Sequence, residues 1–156
     1  MICYHEWTSA LGILTLAGQE DAVCELRFGA SHETDWIPGK TELLTQAEQE
    51  LADYFAGERK VFTIPYRAKG TPFQMRVWEA LTKIPYGEVR SYQEIARAAG
   101  NPKACRAVGM ANHANPLPIL VPCHRVIGKN GKLTGYGGGL EIKKRLLELE
   151  GLDGFL

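Results

Sequence analysis

The chain has 156 residues, 45% of them hydrophobic, enough for one ordinary domain or two small ones with their own cores. No apolar run approaches the ~20 residues that span a bilayer, residues 1–16 lack the basic and apolar regions of a signal peptide, and the cysteines are scattered, so neither a membrane-spanning nor a disulfide-stapled secreted protein is expected. Net charge is zero, but residues 1–66 carry 4 Lys and Arg against 11 Asp and Glu and residues 67–156 carry 14 against 7, a swing from −7 to +7 that points to nucleic-acid binding by the second part, unless both parts merely present solvated charged faces.

Residues 1–30 read as strands. Tyr4, Trp7, Leu11, Ile13, Leu14 and Leu16 alternate loosely with small and polar residues, Gly12 and residues 18–21 read as turns, and residues 23–28 as a further strand. Cys3, His5, Cys24 and His32 are a conceivable zinc set, but their spacing fits no compact ligand motif and ordinary packing is expected. Residues 31–40 form a polar loop. Leu43, Leu44, Ala47, Leu51, Tyr54 and Phe55 recur at helical spacing, with Thr41 as N-cap and Gly57 as the stop. Residues 61–64 read as a short strand, and residues 66–72 as a linker where the charge changes sign. Nothing in this first part forms a chemical constellation, so its expected role is structural.

Pro72 opens a helix that runs to Leu81, with Thr71 before it and Phe73, Val77, Trp78 and Leu81 on the apolar face. Ser91 and Glu94 form a capping box for a helix reaching about Ala98. Gly100–Asn101–Pro102 breaks the chain, and a second helix is expected from Lys103 to His113, with Ala104, Ala107, Val108 and Ala111 inward. Two short helices joined by a Gly-containing turn make either a helix-turn-helix or an αα-hairpin that serves only the core. Ala104, Ala107, Gly109 and Ala111 leave the second helix slim, and Lys103 and Arg106 add charge to it.

Residues 115–126, NPLPILVPCHRV, concentrate the chemistry. Pro116, Pro118 and Pro122 each fix φ and bias the preceding residue to extended geometry, so Ile119 to Val121 read as a buried extended run delivering Cys123. A lone cysteine is commonly a small core hydrophobe. Beside His124 and Arg125 it is also a candidate nucleophile: a thiol titrates near ~8.5, and an adjacent imidazole and positive charge favour the thiolate. On an extended segment neighbouring side chains point to opposite faces, so Cys–His contact there needs a turn or a bridging water. Asn130–Gly131 centres a hairpin-type turn. Gly135, Gly137, Gly138 and Gly139 around Tyr136 make either a flexible loop or a backbone open to a flat ligand. The last helix runs from about Leu140 to Leu149, burying Ile142, Leu146, Leu147 and Leu149. Glu150 then stands at its C-terminal end, a poor place for a carboxylate, which implies a compensating partner.

PCHRV, preceded by NPLPIL and followed by GYGGG, resembles the active-site signature of the O6-alkylguanine-DNA alkyltransferases, or methylated-DNA–protein-cysteine methyltransferases. The likeness extends through IPYGEVRSYQEIA, NPKACRAVG and LLELEG, over about residues 71–151. It implies an α/β N-terminal subdomain (mixed sheet plus helix, RNase H-like) over residues 1–66. A mostly α, winged-helix-like helix-turn-helix subdomain would follow over residues 71–156. It also implies DNA repair by direct reversal: an alkyl group passes from O6-alkylguanine in DNA to Cys123, consuming the protein, with no cofactor; some members carry zinc in the N-terminal region, but the spacing here gives no metal site. The implied partner is double-stranded DNA containing O6-alkylguanine, met by a cytoplasmic monomer, nuclear in a eukaryote, with no membrane involved. Activity on O4-alkylthymine stays open.

By the same resemblance, Glu150 orients His124, and His124 draws the Cys123 proton through one water. Asn115 braces the turn leading to the cysteine. Tyr92 donates a proton to N3 of the departing guanine. Arg106 enters from the minor groove and fills the gap left by the extruded nucleotide. Gln93, Asn101 and Lys129 bind the DNA backbone, with Lys103 beside them. Tyr136 closes over the guanine pocket, and the carbonyls of Cys123 and Val126 read the exocyclic amine. Gly137 stands where many members have serine, so a backbone N–H replaces a hydroxyl donor. Two rival readings remain at this stage. A non-catalytic lesion-binding protein of the same fold is disfavoured by Cys123, and a helix-turn-helix transcription factor predicts sequence-selective binding without transfer.

Overall fold

The computed structural model describes residues 1–155. Backbone contacts divide the chain into two compact units, Met1–Lys69 and Gly70–Leu156. With this boundary the first unit carries 6 Lys and Arg against 11 Asp and Glu, and the second 12 against 7. No helix among the described residues is long and apolar enough to cross a membrane.

The first unit is built on a four-stranded sheet: β1 (Cys3–Ser9), β2 (Gly12–Gly18), β3 (Val23–Phe28) and β4 (Ile37–Pro38), in the order β3-β2-β1-β4. The first three strands pair antiparallel and β4 adds to β1 in parallel, which makes the sheet mixed. Central β2 is buried from Leu14 to Gly18, so its pattern is continuous rather than alternating. Helix α1 (Glu42–Phe55) packs on the sheet through Leu44, Ala47, Leu51 and Tyr54. The Thr41 hydroxyl caps it by accepting from the Leu44 N–H at 3.2 Å.

Four expectations are corrected here. The first hairpin turns at Ala10–Leu11, and Gly12 opens β2 at φ +94°. Residues 31–40 are not all loop, because Ile37–Pro38 forms β4. Residues 61–64 are not a strand. Their donors go instead to the buried Glu50 of α1, which accepts from the Thr63 N–H at 2.8 Å, the Thr63 hydroxyl at 2.7 Å and the Ile64 N–H at 3.1 Å. Burial opposes the Glu50 charge, yet bonds from Thr63, Gln46 and Ile64 outweigh it and hold its pKa below the ordinary value. The linker is also shorter than read. Val23 donates to the Pro65 carbonyl and accepts from the Arg67 N–H, each at 2.9 Å, tying residues 65–67 to β3. As for the four Cys and His residues, His5 bonds Glu48 at 2.8 Å and His32 stacks on Tyr4. No group of three potential metal ligands occurs among the described residues.

The second unit contains α2 (Pro72–Thr82), β5 (Arg90–Ser91), α3 (Tyr92–Ala98), α4 (Cys105–His113), β6 (Val126–Ile127) and α5 (Leu140–Leu149). Helices α2, α3 and α4 pack on one another. Two complete capping boxes start α2 and α3, Thr71 with Gln74 and Ser91 with Glu94. Helix α4 begins two residues later than the spacing suggests. Pro102 disfavours helical geometry before it, Ala104 has no side chain to cap with, and Asn101 Oδ1 takes the Lys103 N–H into a turn at 3.2 Å. The parallel pair β5–β6 sets the start of α3 beside the residues that follow Cys123. Asn130 and Gly131 both adopt positive φ, 64° and 74°, as a tight reversal requires. A bond from the Gly128 N–H to the Lys132 carbonyl at 2.8 Å closes that turn.

Candidate active site

The approach to Cys123 is a turn, not the extended run expected from its prolines. Ile119 sits at φ +75°, in a left-handed conformation that β-branched residues avoid. The Val121 N–H closes the turn on the Leu117 carbonyl at 2.8 Å. Asn115 ties both of its ends, accepting from the Leu117 N–H and donating to the Val121 carbonyl, each at 2.9 Å. Leu117, Ile119, Leu120 and Val121 are all buried, and this packing holds the strained residue in place.

Cys123–Arg125 then coils as a 3-10 turn. This removes the opposite-faces problem of an extended strand: Cys123, His124 and Arg125 are all buried. Glu150, just past the end of α5, is the common acceptor of the cluster. It takes His124 Nε2–H at 2.7 Å, Arg125 Nε–H at 2.9 Å, Arg125 Nη2–H at 3.0 Å and the Gly87 N–H at 3.1 Å. Arg125 also donates from Nη1 to the Ile84 carbonyl at 2.7 Å. The unfavourable end of a helix dipole is thus offset by a buried guanidinium and the ring N–H.

A carboxylate only accepts, so His124 carries its proton on Nε2 and offers Nδ1 as a lone pair. Nδ1 is buried and has no hydrogen-bond partner in the protein. Burial pushes the His124 pKa below its ordinary value, against the pull of Glu150. The resting imidazole is therefore neutral at pH 7. Burial likewise pushes the Cys123 thiol up, opposed by hydrogen bonds from Asn115 and Tyr136 and by the charge of Lys143. A neutral thiol beside a neutral base is chemically able to become a thiolate when the base accepts the proton.

Two buried residues were missed by sequence reasoning. Asn112, on α4, donates from Nδ2 to the Cys123 carbonyl at 3.2 Å. Lys143, on α5, donates to the Val126 carbonyl at 2.7 Å and the Thr134 carbonyl at 3.3 Å. The carbonyls assigned to the guanine amine thus already have internal donors: that of Cys123 accepts from Asn112 Nδ2 and from the Val126 N–H, and that of Val126 accepts from Lys143. Spacing carried a signal for both residues. Asn112 lies four after Val108, and Lys143 precedes Leu146 and Leu147 by three and four, so each is on an inward face.

Between α4, the start of α3 and the Thr134–Gly135 segment, an open groove of about 670 Å³ is lined by Tyr92, Cys105, Arg106, Gly109, Met110, His113, Thr134 and Gly135. Tyr92 shares a hydrogen bond with the Thr134 hydroxyl. Arg106 is exposed on the same helix as the 75%-exposed Met110. Gln93, Asn101, Lys103 and Lys129 are exposed as well. Tyr136 is buried, whereas Gly137 is exposed and a Cβ placed there or at Gly135 would meet open space.

Residues 72–152 match a family model described as the DNA binding domain of 6-O-methylguanine DNA methyltransferase, and residues 2–68 match its ribonuclease-like domain. The chain is 53% identical over 155 residues to the constitutive methylated-DNA–protein-cysteine methyltransferase of Bacillus subtilis, covering 94% of each chain. It is 49% identical over 152 residues to the methylated-DNA–protein-cysteine methyltransferase of Methanosarcina acetivorans, covering 95% of this chain and 97% of the relative. Among solved structures it is similar to Mycobacterium tuberculosis OGT in complex with DNA, with a TM-score of 0.90 and 50% identity over 96% of this chain and 93% of that one. It is also similar to O6-methylguanine-DNA methyltransferase from the archaeon Pyrococcus kodakaraensis, with a TM-score of 0.70 and 27% identity over 97% and 100% of the chains.

Proposed function

The chain belongs to the methylated-DNA–protein-cysteine methyltransferase family, and from that membership we propose single-use repair of O6-alkylguanine in duplex DNA, with Cys123 as the acceptor. One observation carries the assignment of the acceptor: His124 is locked by Glu150 as the Nε2–H tautomer beside Cys123, leaving Nδ1 buried and free to take a proton. The sulfur lone pair attacks the alkyl carbon, the bond from that carbon to O6 breaks, and its electron pair leaves with the guanine. The thiol proton passes to His124 Nδ1 through a water, and Glu150 balances the imidazolium. Tyr92, poised by Thr134, donates a proton to N3 of the leaving base. The product is a thioether without a good leaving group, so each molecule acts once.

Binding follows from the second unit's excess of basic residues. That the similar mycobacterial protein was solved in complex with DNA supports binding of DNA, and the groove beside α4, with Arg106 exposed on it, is the face assigned to it. A stacked base is out of reach of a buried sulfur, so the lesion nucleotide must leave the helix, at a cost of a few kcal/mol. Arg106, planar and exposed, fills the vacated space from the minor groove. Gln93, Asn101, Lys103 and Lys129 hold phosphates. Tyr136 covers the base, and Val126 and Gly137 supply its backbone contacts. The protein acts as a monomer in the compartment that holds the DNA.

Cys123→Ala tests the acceptor. The variant binds lesion-bearing duplex but takes up no methyl, whereas the unaltered chain gains one methyl, located on Cys123 by mass spectrometry. A label on another cysteine, or processing of more than one lesion per protein, contradicts the assignment.

A further inference from the structure

Lys143 is fully buried, which is rare for a lysine. Its ammonium donates to two neutral carbonyls, of Val126 and Thr134, and no carboxylate lies within ion-pair distance of it among the described residues. A clamp between two carbonyls needs only a neutral donor. A full charge there carries a desolvation cost that calls for an anion. Cys123 and His124 of the 3-10 turn interact electrostatically with Lys143, and through them it joins a cluster that includes Arg125 of the same turn, Glu150 at the end of α5 and Tyr136 of the glycine loop, with Tyr92 of α3 beyond Thr134. Arg125 and Lys143 are positive, Glu150 is negative and His124 is neutral. The buried cluster therefore holds one positive charge in excess while Cys123 is a thiol. Thiols are stronger acids than phenols as a class, so Cys123 is the group whose ionisation cancels that excess.

We propose that Lys143 is a positioning residue of the acceptor site: its ammonium is the fixed counter-charge against which the Cys123 thiolate forms, while its two hydrogen bonds hold the segment after the cysteine against the Thr134 loop. The coupling is reciprocal. Burial brings Lys143 down to about 8 and Cys123 pulls it back up, while Lys143 pulls the buried thiol down. A second consequence follows from the same charge count. Once Cys123 is a neutral thioether no thiolate can form, so the excess positive charge is never cancelled and Lys143 loses the anion that helps it keep its proton as pH rises. The inference rests on Cys123 being the alkyl acceptor, but its test does not use DNA.

The rate of iodoacetamide labelling at Cys123 is followed by mass spectrometry from pH 6 to 10 in the full chain, in Lys143→Met and in Lys143→Arg. The Met variant is expected to shift the profile to higher pH, labelling Cys123 about tenfold more slowly at pH 7, with the Arg variant recovering much of the rate. A Met profile that superimposes on that of the unaltered protein overturns the proposal. The second measurement needs no variant and decides the matter if Lys143→Met does not fold. Lysine ε-carbon NMR titration of the unaltered protein, before and after methyl iodide caps Cys123, is expected to show one lysine titrating at lower pH after capping. Identical titrations overturn the proposal. Should both arms behave as expected while methylated DNA transfers nothing, the repair reading fails and the pairing of Lys143 with Cys123 stands.

Discussion

Glu150 Oε2 accepts the Nε2–H of His124 at 2.7 Å while Arg125 donates to both oxygens of the same carboxylate. One side chain therefore serves both the base and a buried ion pair. Glu150→Gln leaves Arg125 buried without a counter-charge, and a loss of about 3–5 kcal/mol is expected in urea unfolding. The double variant Arg125→Met/Glu150→Gln is expected to recover part of that stability without recovering methyl transfer. Equal recovery of both would show that Glu150 acts on the reaction only through the fold.

The neutral, buried His124 sets a pH dependence of stability. Its native pKa is depressed, so below the ordinary value of about 6.5 the unfolded chain takes up a proton that the native imidazole refuses. Its contribution is complete above that pH and is lost as pH falls from there toward the native pKa. Urea midpoints at pH 7.5, 6.5 and 5.5 are expected to fall in that order. His124→Gln should flatten this trend, and an unchanged slope would mean that other groups control it.

Arg106 separates binding from folding. It is exposed and, among the described residues, no side-chain partner engages it, so Arg106→Ala is expected to change unfolding free energy by no more than about 0.5 kcal/mol. Single-turnover transfer should nevertheless slow by about tenfold or more, with little rescue by Arg106→Lys, since a lysine lacks the planar face that stacks. A lysine variant as fast as the original would reduce the role to charge alone.

In the first unit, Glu50 does the work of a missing strand pair. Glu50→Ala removes the acceptor of two backbone N–H groups and one hydroxyl, and a cost of about 1–3 kcal/mol per buried donor is expected. Thermal unfolding reads this loss. Cys123 labelling in the folded fraction is expected to keep its rate.

Local chemistry made much of this legible. Thr41, Ser91 with Glu94, and Gly57 mark helix ends through bonds made within a few residues, and the helices lie where those marks place them. The family signature around Cys123 named His124 and Glu150, which the fold does bring together. What escaped depends on distant partners. The two-residue strands β4, β5 and β6 exist only through pairing. Ile119 breaks the steric rule for its residue type, because buried neighbours and Asn115 enforce the turn. Lys143 and Asn112 occupy inward positions by spacing, yet their polarity reads as solvent-facing until their carbonyl partners are known.

The division of charge between the two units has a practical side. A molecule that sums to neutrality while one compact unit is acidic and the other basic has no net repulsion to keep its copies apart near pH 7. In dilute buffer the acidic unit of one copy is an electrostatic ligand for the basic unit of the next, in competition with nucleic acid. Around 0.1 M salt, where fields fade over roughly 10 Å, that mutual attraction weakens and the colloid is at its most tractable.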